Sequence, residues 1–350
     1  MNMPLRTDAL YAASASTSQH RQETVLPTAT ELRAQFPAEQ HLVRAIAGYR
    51  DQVRGILHGE DQRTLIVMGP CSIHDEQAAL DYATRLKALS DQVSDRFLIV
   101  MRAYLEKPRT TVGWKGLLYD PERNGRGDLK LGLERSRKLL LALSELGLPL
   151  ATEALSPFVM DYLGDLISWT AIGARTTESQ IHREMVSGLP MPTGFKNGTD
   201  GGIGVATNAM KSAAHPHHHM GMSSQGAPAM ISTPGNPDTH LVLRGGRGVT
   251  NYDEVSIAKA IAELEKAGVS TSVMVDCSHD NACKQAERQL EIAREVMAQK
   301  RHGNRRIKGL MLESFLEPGR QDDGASLRYG CSITDPCLGW SQTEALIRSL

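Results

Sequence analysis

Four side chains of the kinds that bind metal ions fall at the ends of apolar segments or in one polar loop near the C-terminus. They are Cys71, His279, Glu313 and Asp335. A thiol, an imidazole and two carboxylates suit a divalent transition ion such as Mn, Fe, Co or Zn, and not Mg or Ca alone. Taken alone, Cys71 would be interpreted as a small buried hydrophobe and His279 as a hydrogen-bonded polar residue. The hypothesis of a metal site therefore depends on the four residues forming one set.

Six cationic side chains follow successive apolar segments in the same way. They are Arg102, Lys107, Arg109, Arg175, Lys196 and Arg244. A single Lys or Arg is usually an ordinary surface residue, but a group of cations at neighbouring segment ends would repel one another unless anions neutralised them. Arginine side chains match the oxygens of carboxylates and phosphates. We therefore expect a ligand that carries more than one anionic group.

Short apolar runs, many of them β-branched, must position these side chains. The runs are 64-TLIVMG, 97-FLIVMRAY, 148-LPLATEAL, 169-WTAIGA, 192-PTGFKN, 240-HLVLRG, 271-TSVMVDCS and 307-IKGLMLES. Most gaps between them hold one amphipathic segment of helical period. Examples are residues 79–89, 132–143, 254–268 and 282–299, and the last segment, 341–350, would be the eighth helix. Buried strands that alternate with helices predict a parallel sheet covered by helices.

Eight such units predict an α/β protein with a (β/α)8 TIM barrel, a fold of roughly 250–300 residues. The alternative is an open doubly wound sheet, but no GxGxxG follows the first strand and no GxxxxGK[ST] occurs. In a barrel, the carboxyl ends of the strands share the face that carries the active site. The candidate ligands and cations would meet there, because the first and eighth strands are neighbours in a closed barrel.

Two segments lie outside the repeating units. Residues 1–60 would contain a mobile, Ser- and Thr-rich arm over residues 1–30 and then one or two helices outside the barrel. The barrel would span residues 61–350, with a small β insertion between units five and six at about 215–239. The run 215-HPHHH-219 lies in this Pro-rich insertion without a nearby carboxylate, which favours a solvated loop over a metal site.

Composition excludes several classes of protein. The chain has 39 Lys+Arg against 40 Asp+Glu, and only 5% of its residues are aromatic. This balance argues against nucleic-acid and membrane-surface proteins, which carry a basic excess or stripe. No apolar run approaches a membrane span and no apolar signal core begins the chain, so we expect a cytoplasmic location. No GxSxG nucleophile elbow occurs, and a Schiff base on Lys107 or Lys196 is a less favoured alternative.

Several motifs in the chain resemble those of the class I 3-deoxy-D-arabino-heptulosonate 7-phosphate (DAHP) synthases. The matching stretches are GPCSIHD (69–75), MRAYLEKPRTTVGWKGL (101–117), IGARTTESQ (172–180), GFKNGTDG (194–201), LRGG (243–246), MVDCSH (274–279), LES (312–314) and SITDPCLGW (332–340). Together they extend over roughly residues 60–340. The stretch KPRTTVGWKG separates this family from the related 8-carbon sugar-acid synthases.

The resemblance implies a metal-dependent transferase of the shikimate pathway to aromatic amino acids. It would condense phosphoenolpyruvate with D-erythrose 4-phosphate to give DAHP and phosphate. By motif, the implied metal ligands are Cys71, His279, Glu313 and Asp335. The implied phosphoenolpyruvate site comprises Arg102, Lys107, Arg175, Lys196 and Arg244, with the backbone at Gly173 and Ala174. Pro108, Arg109 and Thr110 would hold erythrose 4-phosphate, and Lys107, between both substrates, would deliver a proton.

The resemblance also implies regulation by an aromatic amino acid. The stretch LATEALSP (150–157) most resembles the tyrosine-sensitive branch, so tyrosine is the favoured effector. The effector pocket would include Leu155, Ser156, Leu189 and Pro190. Ser156 and Pro190 stand where that branch has an aspartate and a serine, which leaves tryptophan control or insensitivity open. The N-terminal arm and outer helices would provide subunit contacts in a homodimer or homotetramer.

Two other functions remain compatible with the residues. A metal-dependent aldolase that acts on another phosphorylated sugar would use the same side chains. A barrel that senses phosphometabolites or aromatic amino acids is less favoured, because sensing needs no Lewis acid.

Overall fold

The computed structural model describes residues 23–350, so residues 1–22 of the predicted arm lie outside the described residues. The strands are β1 (Thr64–Gly69), β2 (Phe97–Arg102), β3 (Leu150–Glu153), β4 (Trp169–Ile172), β5 (Thr193–Lys196), β6 (His217–Met222), β7 (Pro228–Thr233), β8 (Thr239–Leu243), β9 (Val273–Asp276) and β10 (Ile307–Glu313). Eight of these strands close a barrel in the order β1-β10-β9-β8-β5-β4-β3-β2, and its pairings are parallel. The predicted TIM barrel is confirmed.

The helices are α1 (Ala29–Gln35), α2 (Gln40–His58), α3 (Glu76–Gln92), α4 (Leu129–Glu145), α5 (Val159–Leu163), α6 (Gln180–Ser187), α7 (Gly204–Ala213), α8 (Glu254–Ala267), α9 (Arg288–Arg301) and α10 (Trp340–Ser349). A one-turn 3-10 helix, Gly164–Leu166, follows α5. The aspartates Asp75, Asp128 and Asp253 cap α3, α4 and α8 by accepting a backbone N–H of the first turn. Among the helices of residues 23–350, none has both the length and the apolarity that a membrane crossing needs.

Helix α2 covers the amino-terminal end of the barrel. Its residues Val53, Ile56 and Leu57 are buried in one cluster with barrel side chains that include Leu65 and Trp169. Ser272, which directly precedes β9, donates a hydrogen bond to the Leu57 carbonyl oxygen over 2.7 Å. The apolar face of α2 therefore packs against the barrel core and closes the end opposite the strand termini that carry the candidate ligands.

The predicted β insertion is an antiparallel hairpin of β6 and β7, placed between α7 and β8. Half-buried and exposed residues alternate along both strands. Met220 and Met230 face each other on the outer side, with exposed fractions of 87% and 77%. His217, His218 and His219 lie in β6 rather than in the solvated loop that the sequence favoured, because they pair with Thr233, Ser232 and Ile231 of β7.

Candidate active site

A cavity of about 680 Å³ lies at the carboxyl ends of the barrel strands. Its wall contains the residues predicted for the metal ion and for both substrates. They are Cys71, Arg102, Lys107, Pro108, Arg109, Thr110, Gly173, Ala174, Arg175, Lys196, Arg244, His279, Glu313 and Asp335. The structure therefore brings these residues together, while their individual roles stay predictions.

Three of the four candidate ligands form a compact group. One ligand atom from each of Cys71, Glu313 and Asp335 lies within 4.8 Å of the others. His279 is adjacent, with Nε2 3.9 Å from Glu313 Oε1. The Lys107 ammonium donates to this group, at 2.8 Å from Cys71 Sγ and 2.7 Å from Asp335 Oδ2. A cation thus already lies against the sulfur and one carboxylate.

The chemistry of this donor set fits a divalent transition ion. Cys71 and Glu313 are only 1% and 2% exposed, so their side chains are shielded from water. Burial, followed by the nearby Glu313, raises the pKa of the Cys71 thiol to about 12. The thiol is therefore protonated at neutral pH, and ligation would release its proton. A sulfur, two carboxylates and a neighbouring imidazole together favour Mn, Fe, Co or Zn.

Lys107 is protonated in this environment. Burial acts to lower its pKa, but the nearby Cys71 and Asp335 outweigh burial and raise the pKa well above its ordinary value. A Schiff base requires the neutral amine, so this position disfavours Lys107 as an imine-forming lysine. A charged ammonium is instead suited to binding anions and to donating hydrogen bonds to them.

Four of the other five candidate cations are held by carboxylates or by aromatic and backbone groups. Arg102 is 1% exposed, donates to Glu313 Oε1 over 3.2 Å and stacks at 3.9 Å from the Tyr104 ring centroid. Lys196 Nζ lies 2.9 Å from Asp276 Oδ2, and Arg244 Nη1 lies 2.6 Å from Asp280 Oδ2. Arg109 donates from Nε to the Trp114 carbonyl oxygen, and both Arg109 and Arg175 are exposed. Buried and exposed cations thus share one cavity, an arrangement that suits a polyanionic ligand.

A glycine allows β1 to end beside Arg102. Gly69 has a φ of 151°, and a Cβ there would meet the Arg102 carbonyl oxygen at 2.9 Å. The close approach of the two backbones leaves no room for a side chain. It also places Pro70 and Cys71 directly against β2, where Arg102 Nη2 lies 3.4 Å from the Cys71 carbonyl oxygen.

Some cavity residues were not predicted from the sequence. Gln289 of α9 donates from Nε2 to the Glu313 carbonyl oxygen over 3.1 Å and accepts the Glu313 N–H over 2.8 Å. Tyr104 is 4% exposed, and its hydroxyl has no hydrogen-bond partner within residues 23–350. Lys284 and Arg320 also line the wall. Tyr104 stands two residues after Arg102 in the motif MRAYLEKPRTTVGWKGL (101–117), so the sequence could have indicated it. Gln289 lies in a helix, and Lys284 and Arg320 lie in loops, where no motif indicates a role for them.

The residues predicted for the effector pocket lie elsewhere. Leu155 and Ser156 follow β3, whereas Leu189 and Pro190 precede β5. None of the four, all within the described part of the chain, lines the large cavity. An effector pocket formed by them stays a prediction.

Comparisons with known proteins agree with this architecture. The profile of the DAHP synthetase I family matches residues 33–348. The chain is 52% identical to the Tyr-sensitive phospho-2-dehydro-3-deoxyheptonate aldolase of Escherichia coli (strain K12), over 94% of this chain and 93% of the relative. It is 48% identical to the Phe-sensitive aldolase of that name from the same strain, over 91% of each chain. It is 46% identical to the Trp-sensitive one of Shigella flexneri, over 99% of this chain and 97% of the relative.

A solved structure is similar along nearly the whole chain. The phospho-2-dehydro-3-deoxyheptonate aldolase from Francisella tularensis SCHU S4 superposes with a TM-score of 0.92 and 41% identity, over 94% of this chain and 96% of that one. The similarity extends over the great majority of the chain, in agreement with the span that the family profile matches. The chain therefore belongs to the DAHP synthetase I family.

Proposed function

We propose that this protein is a DAHP synthase, which condenses phosphoenolpyruvate with D-erythrose 4-phosphate and releases phosphate. One observation carries the proposal: a transition-metal donor set and a group of cations share a single cavity at the carboxyl end of the barrel. Two anionic substrates account for the cations, and the aldehyde accounts for the donor set. The names of the relatives support the same reaction.

The cations would hold the substrates in reacting positions. In this proposal the phosphate and carboxylate of phosphoenolpyruvate bind to the side chains and backbone of Arg102, Lys107, Gly173, Ala174, Arg175, Lys196 and Arg244. Pro108, Arg109 and Thr110 bind erythrose 4-phosphate. Fixing both molecules in one geometry removes much of the entropic cost of a bimolecular step. The same cations stabilise the charge that moves toward the departing phosphate.

The condensation forms a bond between the vinyl carbon of phosphoenolpyruvate and the aldehyde carbon. Water adds to C2 of the phosphoenolpyruvate unit, and phosphate leaves with cleavage of its C–O bond. Lys107 is our candidate for the proton that the aldehyde oxygen takes up, because its ammonium is charged and directed at the donor set. Cys71, His279, Glu313 and Asp335 would hold one Mn, Fe, Co or Zn ion, which when bound would polarise the aldehyde oxygen as a Lewis acid.

The test measures phosphate release when the protein, reconstituted with each of these ions, receives both substrates. We expect turnover that requires both substrates and stops after chelation. Cys71→Ala should lose ion binding and turnover, whereas Cys283→Ala, at an exposed cysteine, should keep both. Full activity of Cys71→Ala or of chelated protein would contradict the metal assignment. Turnover with other phosphorylated aldoses but not with erythrose 4-phosphate would favour the alternative aldolase.

We further propose inhibition by an aromatic amino acid, with tyrosine favoured. Relatives described as Tyr-, Phe- and Trp-sensitive support an effector of this class. Assays with each of the three amino acids test the choice, and inhibition by phenylalanine alone would overturn it.

We also propose a homodimer or homotetramer in the cytoplasm, with residues 1–60 as a unit preceding the barrel unit. The exposed methionines of the β6–β7 hairpin support a contact between copies, because such an apolar face is costly in water. Light scattering on a sizing column should give a dimer or tetramer mass. The mass should fall in the double variant Met220→Glu/Met230→Glu. A monomeric wild-type protein would contradict the proposal.

A further inference from the structure

One buried carboxylate contacts both the metal-ligand group and the cations of the proposed phosphoenolpyruvate site. Asp276, at the end of β9, is 0% exposed. Its Oδ2 atom accepts from Lys196 Nζ and lies against His279 Nδ1, each over 2.9 Å. Its Oδ1 atom accepts from the Ser278 N–H over 3.0 Å and from the Ser278 hydroxyl over 2.7 Å. These contacts hold the carboxylate in one orientation, with a single oxygen shared by a lysine and a histidine.

The contact with His279 determines which ring nitrogen is available as a ligand. A histidine whose Nδ1–H is donated to a neighbouring oxygen carries its lone pair on Nε2. His279 Nδ1 lies 2.7 Å from Ser278 Oγ, and that hydroxyl donates to Asp276 Oδ1. His279 presents that Nε2 atom to Glu313, at 3.9 Å from Oε1. Its backbone has a φ of 55°, a conformation that few residues adopt unless the surroundings impose it. Asp276 and the Ser278 hydroxyl that it holds therefore orient His279 toward the metal group.

The contact with Lys196 affects the part of the cavity that would bind phosphoenolpyruvate. Lys196 is 4% exposed, and its side chain lines the cavity wall. The Asp276 carboxylate neutralises part of that charge, so it weakens the attraction of Lys196 for an anionic ligand. The carboxylate is therefore shared between Lys196 on one side and the Ser278 and His279 side chains on the other.

We propose that Asp276 is a positioning residue that couples metal binding to phosphoenolpyruvate binding, an inference that rests on the proposed function. Once Nε2 serves as a metal ligand, the Nδ1–H group becomes a stronger donor to Ser278 Oγ, and the Ser278 hydroxyl in turn donates more strongly to Asp276. Lys196 is then less neutralised and attracts the anionic substrate more strongly. In the other direction, a substrate that draws Lys196 away leaves more of the carboxylate's charge to Ser278 and, through its hydroxyl, to His279, which makes Nε2 a better ligand. Thermodynamic linkage requires both effects to be equal.

The experiment determines four dissociation constants by titration calorimetry on the full chain. They are for Mn²⁺ with and without phosphoenolpyruvate, and for phosphoenolpyruvate with and without Mn²⁺. In the wild-type protein we expect each ligand to tighten the other by the same factor, about 5- to 150-fold, the usual range of such coupling. In Asp276→Asn we expect Mn²⁺ to bind about 10- to 100-fold more weakly and the coupling factor to fall toward one.

The matched control is Asp280→Asn. Asp280 also pairs with a cation of the cavity, at 2.6 Å from Arg244 Nη1, but it makes no such contact with His279. This variant should change phosphoenolpyruvate affinity while keeping the coupling factor. The neutral amide introduced by Asp276→Asn leaves the Lys196 charge without its counter-ion. Binding of phosphoenolpyruvate without metal should therefore persist in that variant. Such binding would show that the cavity is still folded.

Several outcomes would overturn the inference. If coupling survives in Asp276→Asn, it arises from direct contact between the two ligands and not from Asp276. Independent binding of the two ligands to wild-type protein would refute the inference whether or not the variant folds, and it would leave the proposed reaction intact. A wild-type protein that binds neither ligand would remove the proposed function and this inference together.

Discussion

At the scale of single residues, Gln289 completes the end of β10. Its amide makes two hydrogen bonds to the backbone of Glu313, beyond the point where β9 stops pairing with β10. In Gln289→Leu the buried Glu313 N–H loses its partner, which costs about 1–3 kcal/mol. Since this bond also orients a candidate ligand, we expect Mn²⁺ affinity to fall roughly 10-fold. Urea unfolding and Mn²⁺ titration measure the two effects.

The exposed Gln285 provides the control. It lies on the same cavity wall, in the segment that precedes α9, and its side chain is open to solvent. Gln285→Leu should leave the unfolding free energy and Mn²⁺ affinity close to wild type. Equal losses in both variants would mean that the effect is not specific to the bonds with Glu313.

The sequence indicated the residues at strand ends but not their supports. Cys71, Lys196 and Glu313 directly end or follow apolar runs, so their shared location follows from barrel geometry alone. The contact of Gln289 with Glu313 depends on how α9 packs over β10, which residue spacing does not encode. The insertion of the Lys107 ammonium between Cys71 and Asp335 likewise depends on the path of a loop.

At the scale of elements, the loop after β2 folds back so that its later residues form backbone hydrogen bonds with its first residues. Lys107 donates its N–H to the Lys115 carbonyl oxygen over 2.8 Å, and Leu118 donates to the Leu105 carbonyl oxygen over 3.2 Å. Gly116 has a φ of 112°, and a Cβ there would meet the Leu105 carbonyl oxygen at 2.2 Å. This loop carries the residues predicted to hold erythrose 4-phosphate, so its shape depends on that glycine.

We expect Gly116→Ala to distort this loop. A Cβ in such a conformation is strained by about 1–2 kcal/mol before the clash is counted. The Michaelis constant for erythrose 4-phosphate should rise by at least about 10-fold, because a displacement of about 1 Å can cost that much. The barrel should keep its far-ultraviolet circular dichroism spectrum.

Gly125→Ala is the control for this prediction, because Gly125 lies in the same loop with a φ of 74° but has open space around its Cβ position, so the variant adds the backbone strain without the clash. Its kinetics should stay close to wild type. Unchanged steady-state kinetics in Gly116→Ala would contradict the account of the loop.

Strand positions were predictable, but helix boundaries less so. Continuous apolar runs identify the barrel strands because both faces of a parallel sheet are buried. The predicted helix over 282–299 begins only at Arg288, because Cys283 and Lys284 adopt φ values of 49° and 60° that no helix contains. The short α5 and the 3-10 turn after it are stabilised by tertiary packing, which sequence period does not reveal.

At the scale of the whole molecule, a buried histidine makes stability depend on pH. His240 is 0% exposed in the barrel, where its Nε2 accepts the Trp169 Nε1–H over 3.0 Å. Burial lowers its pKa from 6.5 to about 4. As pH falls below 6.5 the unfolded chain binds the proton first, so the folded state loses stability down to about pH 4.

We expect the free energy of unfolding to drop by about 2 kcal/mol from this residue between about pH 7 and about pH 5. His240→Gln keeps an acceptor for Trp169 but does not titrate, so its stability should vary less over the same interval. Urea denaturation at both pH values measures the difference. Parallel pH profiles for the two proteins would show that His240 is not responsible.

The covering of the barrel by α2 has a consequence for biosynthesis. Helix α2 leaves the ribosome before any barrel strand, yet its buried cluster includes residues from Leu65 to Met311. Its docking surface is therefore complete only after β10 has been translated. Until then its apolar stripe must stay exposed or be shielded by a chaperone, so a nascent chain arrested before β10 should be captured by such a factor more readily than a finished one.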